Sequence, residues 1–198
     1  MLVNNAGYGS YGALEDVPLA EAQAQLDVNL LGLARLTKLV LPAMRGRGSG
    51  TIINISSIGG RLATPLGAWY HASKYAVEGL SDAMRLELAQ FGIDVVVIEP
   101  GGIRTEWGAI AADNVRATSG QGAYAGQAGA VAATLEATSK PGYRLASEPE
   151  VIARTVVRAA GARRPRTRYP AGIGAKPIIA LRRLLPDRVF DALIKRFF

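Results

Sequence analysis

The sequence predicts an α/β protein in which a doubly wound parallel β-sheet is covered by helices on both faces. Strand-like and helix-like segments alternate along residues 1–105, and the strand-like segments are almost entirely apolar. The chain has 198 residues, of which 49% are hydrophobic and 20% charged, so it is long enough for one domain with a sizeable core and too apolar for intrinsic disorder. We therefore expect a single domain over residues 1–198.

Each predicted element has a local signal. The helical segments carry apolar residues at intervals of three and four, and the strands are β-branched runs bounded by turn residues. Gly92 stands where a helix commonly ends on a left-handed glycine. The predicted segments are a strand at 2–3, a helix over 19–44, a strand over 51–56, a helix over 69–91, a strand over 94–98 and a helix over 148–160.

Two later segments differ from this pattern. Residues 107–147 are rich in Gly, Ala and Ser with a few aromatics, which is typical of a substrate lid or binding loop. Residues 161–198 form a basic C-terminal tail in which prolines separate short apolar and basic pieces. Residues 154–198 hold 12 Lys or Arg against two Asp, a balance of +10, whereas the whole chain carries +7. The basic charge is therefore local, and we expect no nucleic-acid partner.

The end of the tail has two interpretations. A short helix there would carry one apolar face, formed by Val189, Phe190, Leu193, Ile194 and Phe197. A basic amphipathic helix can make weak contact with an anionic membrane surface, or it can cap a substrate pocket or a dimer interface. We favour the second interpretation.

Composition excludes several classes of protein. Without cysteine there is no disulfide scaffold, thiol nucleophile or cysteine zinc site, and with His71 as the one histidine we expect no metal. No Gly-x-Ser-x-Gly elbow supports a serine hydrolase. The N-terminal residues do not resemble a signal peptide and no apolar run approaches a membrane span, so we expect a cytoplasmic protein.

Tyr70 and Lys74 form the central motif. They are four residues apart on a predicted helix and therefore share a face. A phenol with a pKa of about 10 is a poor proton shuttle at neutral pH, but an adjacent ammonium can lower that pKa. Ser57 ends a predicted strand at the carboxyl edge of the sheet, where open α/β sheets bind ligands. By itself this spacing is more often a surface pair, and His71, about 100° around the helix from Tyr70, is expected to be a bystander or pocket wall.

Other short motifs accompany Tyr70 and Lys74 along the chain. The pair is preceded by Asn4-Asn5-Ala6-Gly7 and by Asn29 in Asp27-Val28-Asn29, and it is followed by Pro100-Gly101-Gly102-Ile103-Arg104-Thr105. From residue 1 to about residue 105 this series resembles the short-chain dehydrogenase/reductase family, which are Rossmann-fold oxidoreductases.

The resemblance implies a catalytic tetrad. Tyr70 would be the general acid/base, and Lys74 would lower its pKa and hold the nicotinamide ribose. Ser57 would orient the substrate oxygen, and Asn29 would hold a water behind Lys74. The reaction implied is hydride transfer between NAD or NADP, with the preference open, and a secondary alcohol or ketone. Apolar and aromatic residues around the site favour a lipophilic substrate, and the full-length protein is expected to be a homo-oligomer.

The resemblance also implies a cofactor groove. Asn5, Ala6 and Gly7 would line its adenosine side. Its nicotinamide side would be lined by Pro100, Gly101, Ile103 and Thr105.

The front of the chain departs from the family. It has no Thr-Gly-x-x-x-Gly-x-Gly phosphate loop and no strands before residue 2, so we expect an N-terminally truncated Rossmann-like domain with an exposed first strand. The Gly-x-Gly-x-x-Gly match at Gly7–Gly12 does not open a helix and is interpreted as a loop near the substrate. The alternative to an enzyme is a catalytically silent remnant that does not bind the cofactor.

Overall fold

The computed structural model describes residues 1–198 as a parallel sheet surrounded by eight α-helices. The four strands lie in the spatial order β1-β2-β3-β4 and are β1 (Leu2–Asn4), β2 (Gly50–Ile55), β3 (Ile93–Pro100) and β4 (Arg168–Ala171). The helices are α1 (Leu19–Leu26), α2 (Leu33–Gly46), α3 (Ala68–Leu88), α4 (Trp107–Ser119), α5 (Ala125–Ser139), α6 (Glu150–Gly161), α7 (Ala175–Leu184) and α8 (Asp187–Ile194).

The elements predicted before residue 105 are confirmed, as is the helix at 148–160, which is α6. The long helix predicted over 19–44 is α1 and α2 joined by a wide π-helical turn at Asp27–Gly32. Gly92 ends the α3 segment with φ +66°, the left-handed conformation expected there.

The sheet separates two apolar cores, as its continuous apolar strands require. On one face, Ile52 and Val95 pack with Leu33 of α2 and Val77 of α3. On the other face lies a second cluster, composed of Ile53, Val96, Ile98, Ala159 of α6 and Ala171. The site at the carboxyl ends of the strands therefore rests on rigid layers.

Residues 107–147 contain two helices that the sequence did not predict, α4 and α5, which form a packed helical hairpin beside Tyr70. The role of this segment as a substrate lid stays a prediction. The prediction missed these helices because small residues let them approach closely, so apolar periodicity is faint. Their contact face includes Ala111, Ala112, Ala128 and Ala132, each 0% exposed.

The tail is also more ordered than its prolines suggested. It contributes the edge strand β4, where Pro170 is tolerated, and α7, where Pro177 lies in the first turn. Phe190 and Ile194 of α8 pack against Leu62, whereas Val189 of α8 and Phe197, beyond the end of the helix, are exposed. The apolar face of the tail helix is thus covered only in part.

β1 lies at the edge of the sheet and pairs only with β2, in the register Leu2↔Ile52. Its other edge has no strand partner, as the sequence predicted. No helix in the structure has the length and apolar character to cross a membrane.

Candidate active site

Three strand ends meet at one edge of the sheet. Asn5 and Gly7 follow β1, Ser57 lies two residues beyond β2, and Pro100 ends β3. Because these strands are parallel neighbours, their carboxyl ends form a common crevice, the usual ligand position in open α/β sheets. Asn5, Ala6 and Gly7 are exposed there, so their backbone is open to a ligand.

Tyr70 and Lys74 lie in the first two turns of α3 and are each 7% exposed. Lys74 Nζ lies 6.0 Å from the centroid of the Tyr70 ring and donates to the carbonyl of Ile55 at 3.0 Å. A Cβ added to Gly7 would lie 3.4 Å from Lys74 Nζ and 3.1 Å from Asn29 Oδ1. The structure therefore brings Lys74 and Asn29 together beside a stretch of backbone that a side chain would crowd.

Burial dominates the proton equilibria of this pair. It raises the pKa of Tyr70 to about 12, although a hydrogen bond with Ser57 acts in the opposite direction. It also lowers the pKa of Lys74 to about 8, against the attraction of Glu78. Desolvation disfavours the charged form of both groups, and the role of Lys74 in lowering the pKa of Tyr70 stays a prediction.

Asn29 is 2% exposed within the π-helical turn and uses its whole side-chain amide. Its Oδ1 accepts from the Tyr8 backbone N–H at 3.0 Å, and its Nδ2 donates to the Tyr8 carbonyl and to Ser73 Oγ, each at 2.9 Å. The Ser73 hydroxyl in turn donates to the carbonyl of Tyr70 at 2.7 Å. Asn29 thus ties the loop after β1 to the turn of α3 that carries Tyr70, and its water-holding role stays a prediction.

Ser57 begins a 3₁₀ turn at Ile58–Gly60 and accepts from the backbone N–H of Gly59 at 3.0 Å. This bond holds the Ser57 hydroxyl at the start of the turn, where its interaction with Tyr70 acts to lower the pKa of that phenol. Ser57 is half-buried, so a ligand oxygen can still reach it.

His71 is a structural residue, as the sequence predicted. Its Nε2 accepts from the backbone N–H of Thr64 at 2.9 Å, so its Nδ1 carries the proton and donates to the carbonyl of Gly59, also at 2.9 Å. Burial lowers its pKa. A neutral histidine with both nitrogens engaged cannot serve as the base, but it braces the turn that follows Ser57.

Sequence reasoning missed an aromatic cluster over Tyr70. The ring centroids of Tyr11 and Trp107 lie 5.6 and 5.2 Å from that of Tyr70, and 6.0 Å from each other. Trp107 had no signal beyond being an aromatic in the 107–147 segment, and Tyr11 belongs to the Gly7–Gly12 loop. The Gly7–Gly12 loop lies beside Tyr70, as predicted. The next helix begins only at Leu19, so Gly12 does not open a helix as the third glycine of a dinucleotide-binding loop would.

The loop after β3 is anchored at both ends. A Cβ on Gly101 would lie 3.0 Å from the carbonyl of Ile173, and Ile103 forms a bridge with Ser147. Thr105 accepts from the N–H of Trp107 at 3.3 Å, at the start of α4. Pro100, Gly101 and Ile103 are half-buried, so this loop forms a fixed wall that is still accessible.

Comparison with known proteins adds to this geometry. Residues 1–115 match the family model for short chain dehydrogenases. The uncharacterized oxidoreductase YbbO of Escherichia coli is 37% identical over 98% of this chain, and the chain spans 66% of that relative.

Solved structures agree. A short-chain dehydrogenase from Streptomyces avermitilis is similar with TM-score 0.77 and 30% identity, over 98% of this chain and 68% of the other. A short chain dehydrogenase from Burkholderia cenocepacia, solved in complex with NADP, gives TM-score 0.71 and 25% identity, over 100% of this chain and 70% of the other.

Proposed function

Because the chain belongs to the short-chain dehydrogenase family, we propose that it forms the catalytic part of an NAD(P)-dependent oxidoreductase that acts on a secondary alcohol or ketone. The observation that carries this proposal is the convergence of Ser57, Tyr70, Lys74 and Asn29 beside the exposed backbone of Gly7. The complex of the similar Burkholderia enzyme with NADP supports the choice of cofactor.

The crevice suits the nicotinamide side of such a cofactor. Its donors are a buried ammonium and a phenol, which can hydrogen bond to ribose hydroxyls, and a Cβ at Gly7 would narrow the space beside Lys74. In this proposal Lys74 and Tyr70 hold the ribose. The adenosine side is lined by Asn5, Ala6 and Gly7, and the carboxamide side by Pro100, Gly101, Ile103 and Thr105. When bound, the cofactor supplies or accepts the hydride.

Tyr70 is the proposed donor of a proton to the substrate oxygen. With a pKa of about 12 its hydroxyl is protonated at neutral pH, so it is ready to donate to a carbonyl oxygen held by Ser57. The phenolate left behind is stabilised by the ammonium of Lys74, which with a pKa of about 8 is mostly protonated at pH 7.

The surroundings of Tyr70 favour a lipophilic substrate. Tyr11 and Trp107 present aromatic rings to it, and the α4–α5 hairpin behind them is lined by alanine, valine and leucine. We propose that residues 107–147 cover the substrate as a packed wall, with Trp107 at the end nearest Tyr70.

The pyrophosphate of the cofactor would need a binding loop that this sequence does not contain. The sequence contains no Thr-Gly-x-x-x-Gly-x-Gly loop, and β1 leaves one strand edge free. We propose that further chain pairs with this edge and brings the phosphate loop, as a Rossmann site requires. The same two observations favour the alternative function, a silent remnant without cofactor binding.

Calorimetry with NADPH and NADH tests the proposal on the 198-residue chain and on a longer chain that includes the residues encoded upstream. We expect the short chain to bind about 10²- to 10⁴-fold more weakly, because two charge-assisted phosphate contacts are missing. In the longer chain, Lys74→Met should weaken binding and Lys38→Met, on exposed α2 surface, should not. Micromolar binding by the short chain would contradict the missing phosphate site, and no binding by the longer chain would favour the remnant.

A further inference from the structure

A second concave surface lies away from the crevice, between α6, β4 and α7. It consists of two adjoining depressions of about 360 and 310 Å³ that share Thr155, Arg158, Pro170 and Lys176. We call this surface the basic cleft. Volumes of about 300–1,000 Å³ are typical of small-molecule sites.

The basic cleft has an unbalanced charge. No acidic residue lines the cleft. Five cationic side chains of the lining form no salt bridge; these are Arg154, Arg158, Arg164, Arg166 and Lys176. Arg168 also lines it, but its guanidinium is engaged by Glu78 and Asp82 at 3.0 and 2.7 Å. Elsewhere, Arg61, Arg104 and Arg116 all have carboxylate partners. The cleft therefore concentrates positive charge that the protein itself does not neutralise.

Local structure explains why these cations converge. Arg154 and Arg158 are four residues apart on α6, and Lys176 lies in the first turn of α7, where the helix dipole is positive. Arg164 and Arg166 come from the turn between α6 and β4, which is held where the Arg166 backbone N–H donates to the Tyr169 hydroxyl at 3.0 Å. Three separate elements thus direct positive charge at one hollow.

We propose that the basic cleft binds a small molecule bearing two or more phosphate groups. Arginine forks match phosphate oxygens in a bidentate fashion, and several guanidiniums at one hollow suit a multivalent anion better than a single carboxylate. The cleft is concave and borders β4, at the opposite edge of the sheet from β1. None of the proposed catalytic residues lines the cleft, which approaches the cofactor crevice at Gly172, where an added Cβ would lie 3.1 Å from Ile103 Cδ1. The inference does not depend on the proposed reaction.

The test is a calorimetric titration of the full chain with inorganic pyrophosphate, with succinate as the dicarboxylate comparison. The cleft variant combines Arg158→Ala and Lys176→Ala, since both residues line both depressions. The matched control combines Arg35→Ala and Lys38→Ala, two exposed cations of α2 that remove the same charge elsewhere. We expect saturable pyrophosphate binding, weakened about tenfold or more in the cleft variant and unchanged in the control.

Several outcomes would overturn the proposal. These are the absence of saturable pyrophosphate binding, equal weakening in the control, or succinate binding as tightly as pyrophosphate. Duplex DNA and phosphoinositide vesicles serve as further arms at near-physiological salt, where screening acts over about 8 Å. If DNA or vesicles bind to the wild type, bind less well to the cleft variant and are not displaced by pyrophosphate, the cleft binds a large polyanion and the proposal of a small phosphate ligand is wrong. Displacement by pyrophosphate supports the proposal.

Discussion

Glu99 offers a test of how this fold tolerates buried charge. It is 1% exposed near the end of β3, next to Glu78 of α3, with Arg61 and Arg168 at 3.8 and 3.6 Å. Burial and the Glu78 carboxylate raise the pKa of Glu99 from 4.5 to about 7, against the attraction of the arginines. We predict that Glu99→Gln, which mimics the protonated acid, changes how stability depends on pH.

The sign follows from proton linkage. Because the folded state holds the Glu99 proton more tightly, its stabilising effect is complete below pH 4.5 and is lost as the pH rises through about 7. At about 1.4 kcal/mol per pKa unit, the loss amounts to about 3 kcal/mol. Glu99→Gln should therefore gain about 3 kcal/mol relative to the wild type between pH 4.5 and pH 8.

The pKa of His71 is shifted in the opposite direction. Burial lowers its pKa, so its contribution is present above its unfolded value of 6.5 and is lost as the pH falls. The two residues partly cancel in the wild type, and Glu99→Gln should leave stability that rises with pH. Urea unfolding at several pH values measures this. A difference between variant and wild type that is independent of pH, or that decreases as pH rises, would refute the reasoning.

Two further substitutions test the packing around the site. Asn29→Ala removes three hydrogen bonds of a buried side chain and should lower the free energy of unfolding by about 2–4 kcal/mol in a urea titration. A loss below about 1 kcal/mol would contradict the role of Asn29 in joining the loop after β1 to α3. Arg168→Ala removes the 3.0 Å partner of Glu78, leaves only Arg61 at 3.6 Å, and should cost about 1.5–3 kcal/mol, the range for hydrogen bonds to charged groups. The exposed neighbour Arg164→Ala should change stability by about 0.5 kcal/mol or less, and equal losses in the two arginine variants would contradict the account.

Most of the fold before residue 105 could be predicted from the sequence, because apolar strands and amphipathic helices there have strong periodicity. The convergence of Ser57, Tyr70 and Gly7 could also be predicted, since parallel strands end at one edge of a sheet. The α4–α5 hairpin could not, because alanine-rich contact faces give little contrast between buried and exposed positions.

Two properties of the site depend on tertiary structure alone. The contact of Tyr11 and Trp107 with Tyr70 depends on the path of a loop and on the start of α4, for which no local pattern exists. The direction of the shift in the Tyr70 pKa is set by burial, which acts on Lys74 as well. Spacing shows that the two residues are near each other but not how far both are desolvated.

Turnover by a Tyr70→Phe variant tests the central claim most directly. The assay follows NADPH consumption with a panel of lipophilic ketones, in the chain length that binds the cofactor. Tyr75→Phe is the matched control, since Tyr75 lies on the same helix but is 45% exposed. We predict that Tyr70→Phe lowers kcat by about 10²- to 10⁴-fold or more and weakens cofactor binding only by the roughly tenfold or less that one ribose hydrogen bond contributes, and that Tyr75→Phe keeps normal activity. Near-normal turnover by Tyr70→Phe would contradict the assignment of Tyr70 as the proton donor.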